Sequence, residues 1–418
     1  MPYTEPSNLA IIACPGGELF ATKIIKHLHH MYKHRFGLKR DVISKRYNID
    51  KNTIIRDTNY YNDLQASELC IRGNVEKYRP VEFKTDIPFT HFLNGELKTE
   101  VSACLRGKEV FIVQDVANEQ LLQLNEGKLE KHLSVNDHLM ALLVTIDAVK
   151  RAGATSISLV LPTYPYARQD KKKGRESLTA SMLGKIYENM GVNRIITLDI
   201  HSREIENAFS CLTIENLHAS YQIIRELMKL IDITSESDDL VIVAPDTGAV
   251  ERNKFYASGL KKPLAMIHKE RDYSIITQNA KESNIKQITL LGDVKDKTAF
   301  LADDMLGSGG TLLKAMEFLK EQGAKQVIAA ISLPFFNGDA IEMFDEAYRK
   351  GHFFRIIGTN AVAHEKLLDC EWFINTDVSG LFANIIMRIY HNQSISDLLD
   401  NRTIIEKLVK MEFNENTF

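Results

Sequence analysis

The segment that most restricts the fold is TAFLADDMLGSGGTLL, residues 298–313. Its apolar opening, Ala299-Phe300-Leu301-Ala302, has the length and character of a strand buried on both faces of a parallel sheet. The run stops at two adjacent carboxylates, Asp303 and Asp304, and after Met305 and Leu306 comes Gly307-Ser308-Gly309-Gly310-Thr311. An amphipathic helix from Leu312 to about Gln322 completes the pattern. Ligands of open α/β sheets lie beyond the carboxyl ends of the strands, so strand, acid pair, glycine loop and helix in this order outline a binding crevice. The glycines let backbone N–H groups turn towards a phosphate, Ser308 and Thr311 add hydroxyl donors, and the helix N-terminus adds its dipole.

The acid pair narrows the ligand. Two carboxylates beside a phosphate repel it, so they face sugar hydroxyls, a cation or both. A phosphate joined to a diol satisfies the whole loop, and ribose 5-phosphate is the plainest such molecule. No Lys follows the glycines, which sets the loop apart from the G-x-x-x-x-G-K-[ST] nucleotide loop. An ordinary glycine-rich strand–helix turn is the bland alternative, and the acids and hydroxyls between strand and helix weigh against it.

At 418 residues the chain has room for two or three domains, and its 44% hydrophobic and 26% charged content suits large buried cores. A net charge of −3 gives no bulk attraction to nucleic acid or anionic lipid. No apolar run reaches the ~20 residues of a membrane span, and the N-terminus shows no basic region ahead of a long apolar segment. Cys14, Cys70, Cys104, Cys211 and Cys370 are scattered and odd in number, as free thiols of a reducing compartment are, so the expected location is the cytoplasm.

Further strands are expected at 8–14, near 81–83, and at 109–114, 157–161, 194–200, 240–244, 263–267, 327–333, 353–358 and 371–376. Helices are expected at 19–31, 136–151, 216–231, 250–260, 337–350 and 380–390, and through the tail at 394–418. Residues 33–84 and 118–135 are polar and weakly periodic, and 232–239 reads as a spacer between two α/β units. Several polar groups sit where strands empty: Arg168, Gln169, Lys171, Lys172, Lys173 and Arg175 after 157–161, His201 after 194–200, and Asp246 after 240–244. The basic run has the charge to offset a polyphosphate; a solvated face is its alternative. Lys269 and Arg271 follow 263–267, at the start of a polar stretch running to 286.

DDMLGSGGT resembles the phosphoribosyl-diphosphate loop of type I phosphoribosyltransferases and of ribose-phosphate diphosphokinases (PRPP synthetases). FLNGE, at Phe92, Asn94, Gly95 and Glu96, resembles the diphosphokinase F-x-D-G-E segment. YARQD, L-D-I-H, P-D-T-G and K-E-R resemble its Y-x-R-Q-D, D-x-H, P-D-x-G and K-x-R motifs. The resemblance covers most of 9–399, with 33–84 and 118–135 as insertions. It implies two tandem phosphoribosyltransferase-like domains of α/β class, each a largely parallel sheet flanked by helices. Their expected extents are 1–220 on the ATP side and 221–375 with the ribose 5-phosphate loop. A helical segment, 376–418, then packs back on the first domain.

The implied reaction moves the β,γ-diphosphoryl group of ATP to O1 of ribose 5-phosphate, giving PRPP and AMP. Phe92, Asn94, Gly95, Glu96, Arg168 and Gln169 then bind ATP. Arg271, Asp303, Asp304, Gly307, Ser308, Gly309, Gly310 and Thr311 bind ribose 5-phosphate. Lys269 and Arg271 are catalytic, and His201 and Asp246 hold Mg2+. The family also implies a homo-oligomer built from dimers. Departures are Asn94 for the middle acid, Lys171 for a frequent Arg, and Gly307 where many members carry Asp. Such departures keep open a non-catalytic regulatory homologue, as the loop alone keeps open a phosphoribosyltransferase.

Overall fold

The computed structural model describes residues 8–65, 82–172, 174–233, 239–271 and 285–410. The chain opens with β1 (Leu9–Ala13), a long α1 (Glu18–Tyr47) and α2 (Lys51–Gln65). A hairpin of β2 (Phe89–His91) and β3 (Leu97–Thr99) leads to β4 (Glu109–Val113), and a second hairpin, β5 (Leu121–Leu124) and β6 (Leu129–His132), leads to α3 (Val135–Arg151). β7 (Ser156–Val160), α4 (Thr179–Met190), β8 (Arg194–Leu198), β9 (Thr213–Leu217) and α5 (Ser220–Leu230) follow. Next come β10 (Leu240–Ala244), α6 (Val250–Leu260), β11 (Leu264–Arg271), β12 (Ile285–Leu291), β13 (Thr298–Leu306) and α7 (Gly310–Glu321). The remainder is β14 (Gln326–Pro334), α8 (Ala340–Arg349), β15 (Arg355–Thr359), α9 (Glu365–Leu368), β16 (Phe373–Thr376), α10 (Ser379–Tyr390), α11 (Ser396–Leu399) and α12 (Arg402–Val409).

Two sheets organise these elements. The five-stranded sheet has the order β1-β4-β7-β8-β9, with the β1–β4, β4–β7 and β7–β8 pairs parallel. Its strands LAIIA, EVFIV, SISLV and RIITL are almost continuously apolar, as strands covered by helices on both faces must be. The seven-stranded sheet has the order β12-β11-β10-β13-β14-β15-β16, parallel throughout except for the antiparallel β11–β12 pair. This is the α/β class and the largely parallel, helix-flanked arrangement that the sequence implies.

The chain forms two compact units, Met1–Thr197 with Ser202–Glu215 and Ser379–Ile395, and Leu198–His201 with Asn216–Val378 and the chain from Ser396. In the first, α10 packs on α1, with Phe20 and Phe382 edge to face at 5.2 Å between ring centroids. In the second, Trp372 is buried among Phe336, Phe344 and Phe353, with centroids 5.7 Å away in each pair.

Several expectations change. The polar stretch from residue 33 is helical: α1 continues to Tyr47 and α2 follows, although much of that surface is exposed. Residues 118–135 contain the β5–β6 hairpin instead of an irregular excursion. The strand near 81–83 reduces to one bridge, Ile11 to Lys84, and Val81 lies outside the described residues. Residues 216–219 belong to β9 and the turn after it, so the helix begins at Ser220. β13 does not stop at the acids: Met305 and Leu306 pair with Leu333 and Pro334 of β14, which places Asp303 and Asp304 inside the strand. Most of the 232–239 spacer and residues 272–284 lie outside the described residues.

Candidate functional site

In the seven-stranded sheet the parallel strands β11, β10, β13, β14 and β15 all end on one edge. That edge carries Lys269 and Arg271 at the end of β11, Asp246 just past β10, and the acid pair in β13. The side chains of Lys269 and Arg271 lie outside the description, and their backbone pairs with Ile288 and Ile285 of β12. Asp246 is half-buried, and its Oδ1 accepts the Ala249 N–H at 3.0 Å, ahead of α6. It therefore closes the turn before α6, which leaves its second oxygen for other use.

Asp304 is buried, and its Oδ2 lies 2.6 Å from Nδ1 of His201. Asp303 accepts the Asp304 N–H at 2.9 Å. Burial, and then the charge of Asp304, pushes the Asp303 carboxyl up to about 7. Burial acts the same way on Asp304, but the His201 hydrogen bond and the Arg252 charge outweigh it and hold that carboxyl below its ordinary range. Near neutrality the pair thus carries less than two negative charges, which eases the approach of a phosphate next door.

After the acids, the loop at Gly307 and Ser308 leads into α7. Gly309 has φ of 74°, and a Cβ there would lie 2.4 Å from Cε2 of Phe344. Only glycine satisfies both the left-handed backbone and the contact. Ser308 and Thr311 are exposed at the mouth of the helix, whose first N–H groups have no partner within the helix itself. The arrangement suits an oxyanion on the loop and hydroxyl donors over the acids.

A second cluster stands behind the acids, and the sequence pattern did not show it. Asp199 is 3% exposed and has φ of 42°, a left-handed backbone in a residue that is not glycine. Its Oδ1 accepts from His218 Nδ1 at 2.8 Å and from the Arg252 guanidinium at 3.0 Å. Its Oδ2 accepts from the Ser332 hydroxyl at 2.6 Å and the Ala219 N–H at 3.2 Å. Burial alone would raise this carboxyl, yet the Arg252 charge and the His218 and Ser332 hydrogen bonds hold it well below the carboxylate range. The one available signal was on α6, where Asn253 falls in register with buried Ala249, Tyr256 and Leu260.

In the first unit, Phe92, Asn94, Gly95 and Glu96 form the tip of the β2–β3 hairpin. Phe92 N–H donates to Glu96 O at 2.9 Å and Gly95 N–H to Phe92 O at 3.0 Å. Phe92 is 43% exposed, so its ring is available for stacking and is not part of a core. Arg168 and Gln169 lie exposed on the loop after β7, with Lys171, Lys172 and Arg175; Lys173 lies outside the described residues. Tyr166 holds this loop at its start, with φ of 56° and its hydroxyl donating to Asn136 at 2.6 Å.

Among the described residues no three His, Cys, Asp or Glu side chains are grouped as metal ligands. His201, oriented by its Nδ1 contact with Asp304, and Asp246 are single donors. Taken singly, a donor of this kind fits Mg2+, which keeps several waters and takes phosphate oxygens from its substrate, better than an ion that needs a closed protein cage.

Two family descriptions match the chain: "N-terminal domain of ribose phosphate pyrophosphokinase" over residues 74–191 and "Phosphoribosyl transferase domain" over residues 210–365. Ribose-phosphate pyrophosphokinase A of Dictyostelium discoideum is 35% identical over 312 residues, 74% of this chain and 88% of that protein. Ribose-phosphate pyrophosphokinase 2 of Schizosaccharomyces pombe is 34% identical over 314 residues, 75% of this chain and 88% of its own length. The crystal structure of phosphoribosylpyrophosphate synthetase from Mycobacterium smegmatis aligns with a TM-score of 0.65 at 25% identity, over 92% of this chain and 100% of that one. With its sheet edge, acid pair and glycine loop in these positions, the chain belongs to the ribose-phosphate pyrophosphokinase family.

Proposed function

We propose that the chain is a ribose-phosphate diphosphokinase that makes PRPP and AMP from ATP and ribose 5-phosphate. The observation that carries this is the acid pair of β13 running into the Gly309 turn and the start of α7, in a chain that also has the diphosphokinase N-terminal domain. A phosphoribosyltransferase has no use for that N-terminal domain.

In this reading Asp303 and Asp304 hold the sugar hydroxyls, and Gly307, Ser308, Gly309, Gly310 and Thr311 hold the 5-phosphate. O1 of the sugar bonds to the β-phosphorus and its proton passes to solvent. The bond from that phosphorus to the oxygen bridging to the α-phosphate breaks, and AMP leaves. Such transfers depend on alignment and on offsetting charge more than on covalent catalysis. Phe92, Asn94, Gly95, Glu96, Arg168 and Gln169 bind the nucleotide, and Lys269 and Arg271 stabilise charge as the diphosphoryl group moves. His201 and Asp246 would hold Mg2+, which would supply polarisation of the phosphate oxygens. The chain acts as a homo-oligomer built from dimers, as the resemblance implies.

The test is to incubate the purified chain with ATP, Mg2+ and ribose 5-phosphate and to measure AMP and PRPP. Equal amounts of the two are expected. Ribose 5-phosphate binding without AMP formation would point to the regulatory homologue instead, and light scattering of the same preparation checks the oligomer.

A further inference from the structure

The Asp199 cluster lies outside the residues given a role above. We propose that Arg252, anchored by Asp199, is a positioning residue for ribose 5-phosphate that acts through the acid pair. Three observations carry this. First, Asp199 is committed on both oxygens to His218, Ala219, Arg252 and Ser332, so the guanidinium has a fixed seat at 3.0 Å. Second, the next residue, Asn253, clamps α6 to β13 one residue before the acids: its Nδ2 donates to Ala302 O at 2.8 Å and its Oδ1 accepts the Ala302 N–H at 2.9 Å. Third, Asp199 stands two residues before His201, whose Nδ1 lies 2.6 Å from Oδ2 of Asp304, so the seat of the guanidinium is tied through the chain to the acid pair.

The physical need is plain. Two carboxylates must stay beside a sugar that carries a phosphate dianion, and a fixed cation behind them reduces the repulsion between protein and ligand. Arginine suits the place because it stays charged when buried and its fork can serve several acceptors. A Lys would keep the charge and lose the fork. The inference rests on ribose 5-phosphate being the ligand of the β13 loop.

The experiment compares the full-length wild type with Arg252→Lys, Arg252→Met and the double variant Asp199→Asn/Arg252→Met. The double variant removes both charges, so no lone buried carboxylate threatens folding. Binding of ribose 5-phosphate is measured by calorimetry, and KM and kcat by AMP formation. Losing the guanidinium fork that steadies the acid pair should weaken ribose 5-phosphate binding about ten- to a hundredfold in the Met variants, with KM for ATP unchanged. Arg252→Lys, which keeps the charge and loses the fork, should recover part of that loss, and a rise in KM confined to ribose 5-phosphate is what a purely structural role would not give. The proposal is overturned if the double variant folds and binds ribose 5-phosphate within about twofold of wild type, or if both substrates' KM values rise together. A wild type that binds ribose 5-phosphate but forms no AMP would sink the diphosphokinase reading, while the affinity comparison would still decide the role of Arg252. A wild type that does not bind the sugar phosphate sinks both.

Discussion

Asp303 gives the site a pH response whose sign can be worked out. In the unfolded chain its carboxyl titrates near the ordinary 3.8, and in the fold burial and Asp304 raise it to about 7. Between those values the native state holds a proton that the unfolded state has released, so stability falls as pH rises from about 4 to about 7 and levels above it. Asp304, held low, contributes in the opposite sense and only at more acid pH. In the absence of ligand, Asp303→Asn should therefore lose less stability than wild type between pH 5 and pH 8, measured by urea unfolding. An equal loss in both would mean that Asp303 does not titrate as its surroundings dictate. Gly309 makes a second test at this scale. Gly309→Ala must push Phe344 away from a 2.4 Å overlap and hold alanine at φ of 74°. A cost of about 1–3 kcal/mol in folding is expected, together with a raised KM for ribose 5-phosphate.

At the scale of elements, strands with strong apolar runs were legible and short or polar ones were not. β10 and β14 are almost wholly buried, and their sequences show it. The hairpins have strands of three or four residues, too short to establish an alternation. The distal half of α1 was obscured because its exposed positions include Leu38, Val42 and Tyr47, which blurs the polar face of an amphipathic pattern. The acid pair and glycine loop could be read because they are contiguous. The Asp199 cluster could not, because His218, Arg252 and Ser332 lie 19, 53 and 133 residues away and meet only in the fold. β11 carries the catalytic expectation at this scale. If Lys269 neutralises charge only as the diphosphoryl group moves, Lys269→Ala should lower kcat about 10²- to 10³-fold. Its urea midpoint should stay at the wild-type value; near-normal PRPP formation would refute the assignment.

The whole molecule has two cores, and the chain closes the first of them late. α10, at Ser379–Tyr390, belongs with α1 although more than 330 residues separate them in sequence, whereas Ser396 onwards returns to the second unit. Phe382 is fully buried, and its ring meets Phe20 edge to face. Replacing it with alanine removes a large aromatic from a packed helix pair, at a cost of about 3–5 kcal/mol. That cost should fall on the first unit alone. The chain's single tryptophan reports on the other one, because Trp372 sits in the aromatic core of the second unit, its Nε1 donating to Asp345 at 2.6 Å. Phe382→Ala should therefore move the unfolding midpoint seen by far-ultraviolet circular dichroism to lower urea and split it from the Trp372 fluorescence transition, which stays near its wild-type value. If both signals shift together by the same amount, the two cores unfold as one cooperative body and a site on the second unit feels every lesion in the first. If only the dichroism moves, loss of PRPP formation in such a variant measures what the first unit contributes to the reaction, with the acid pair and its phosphate loop left intact.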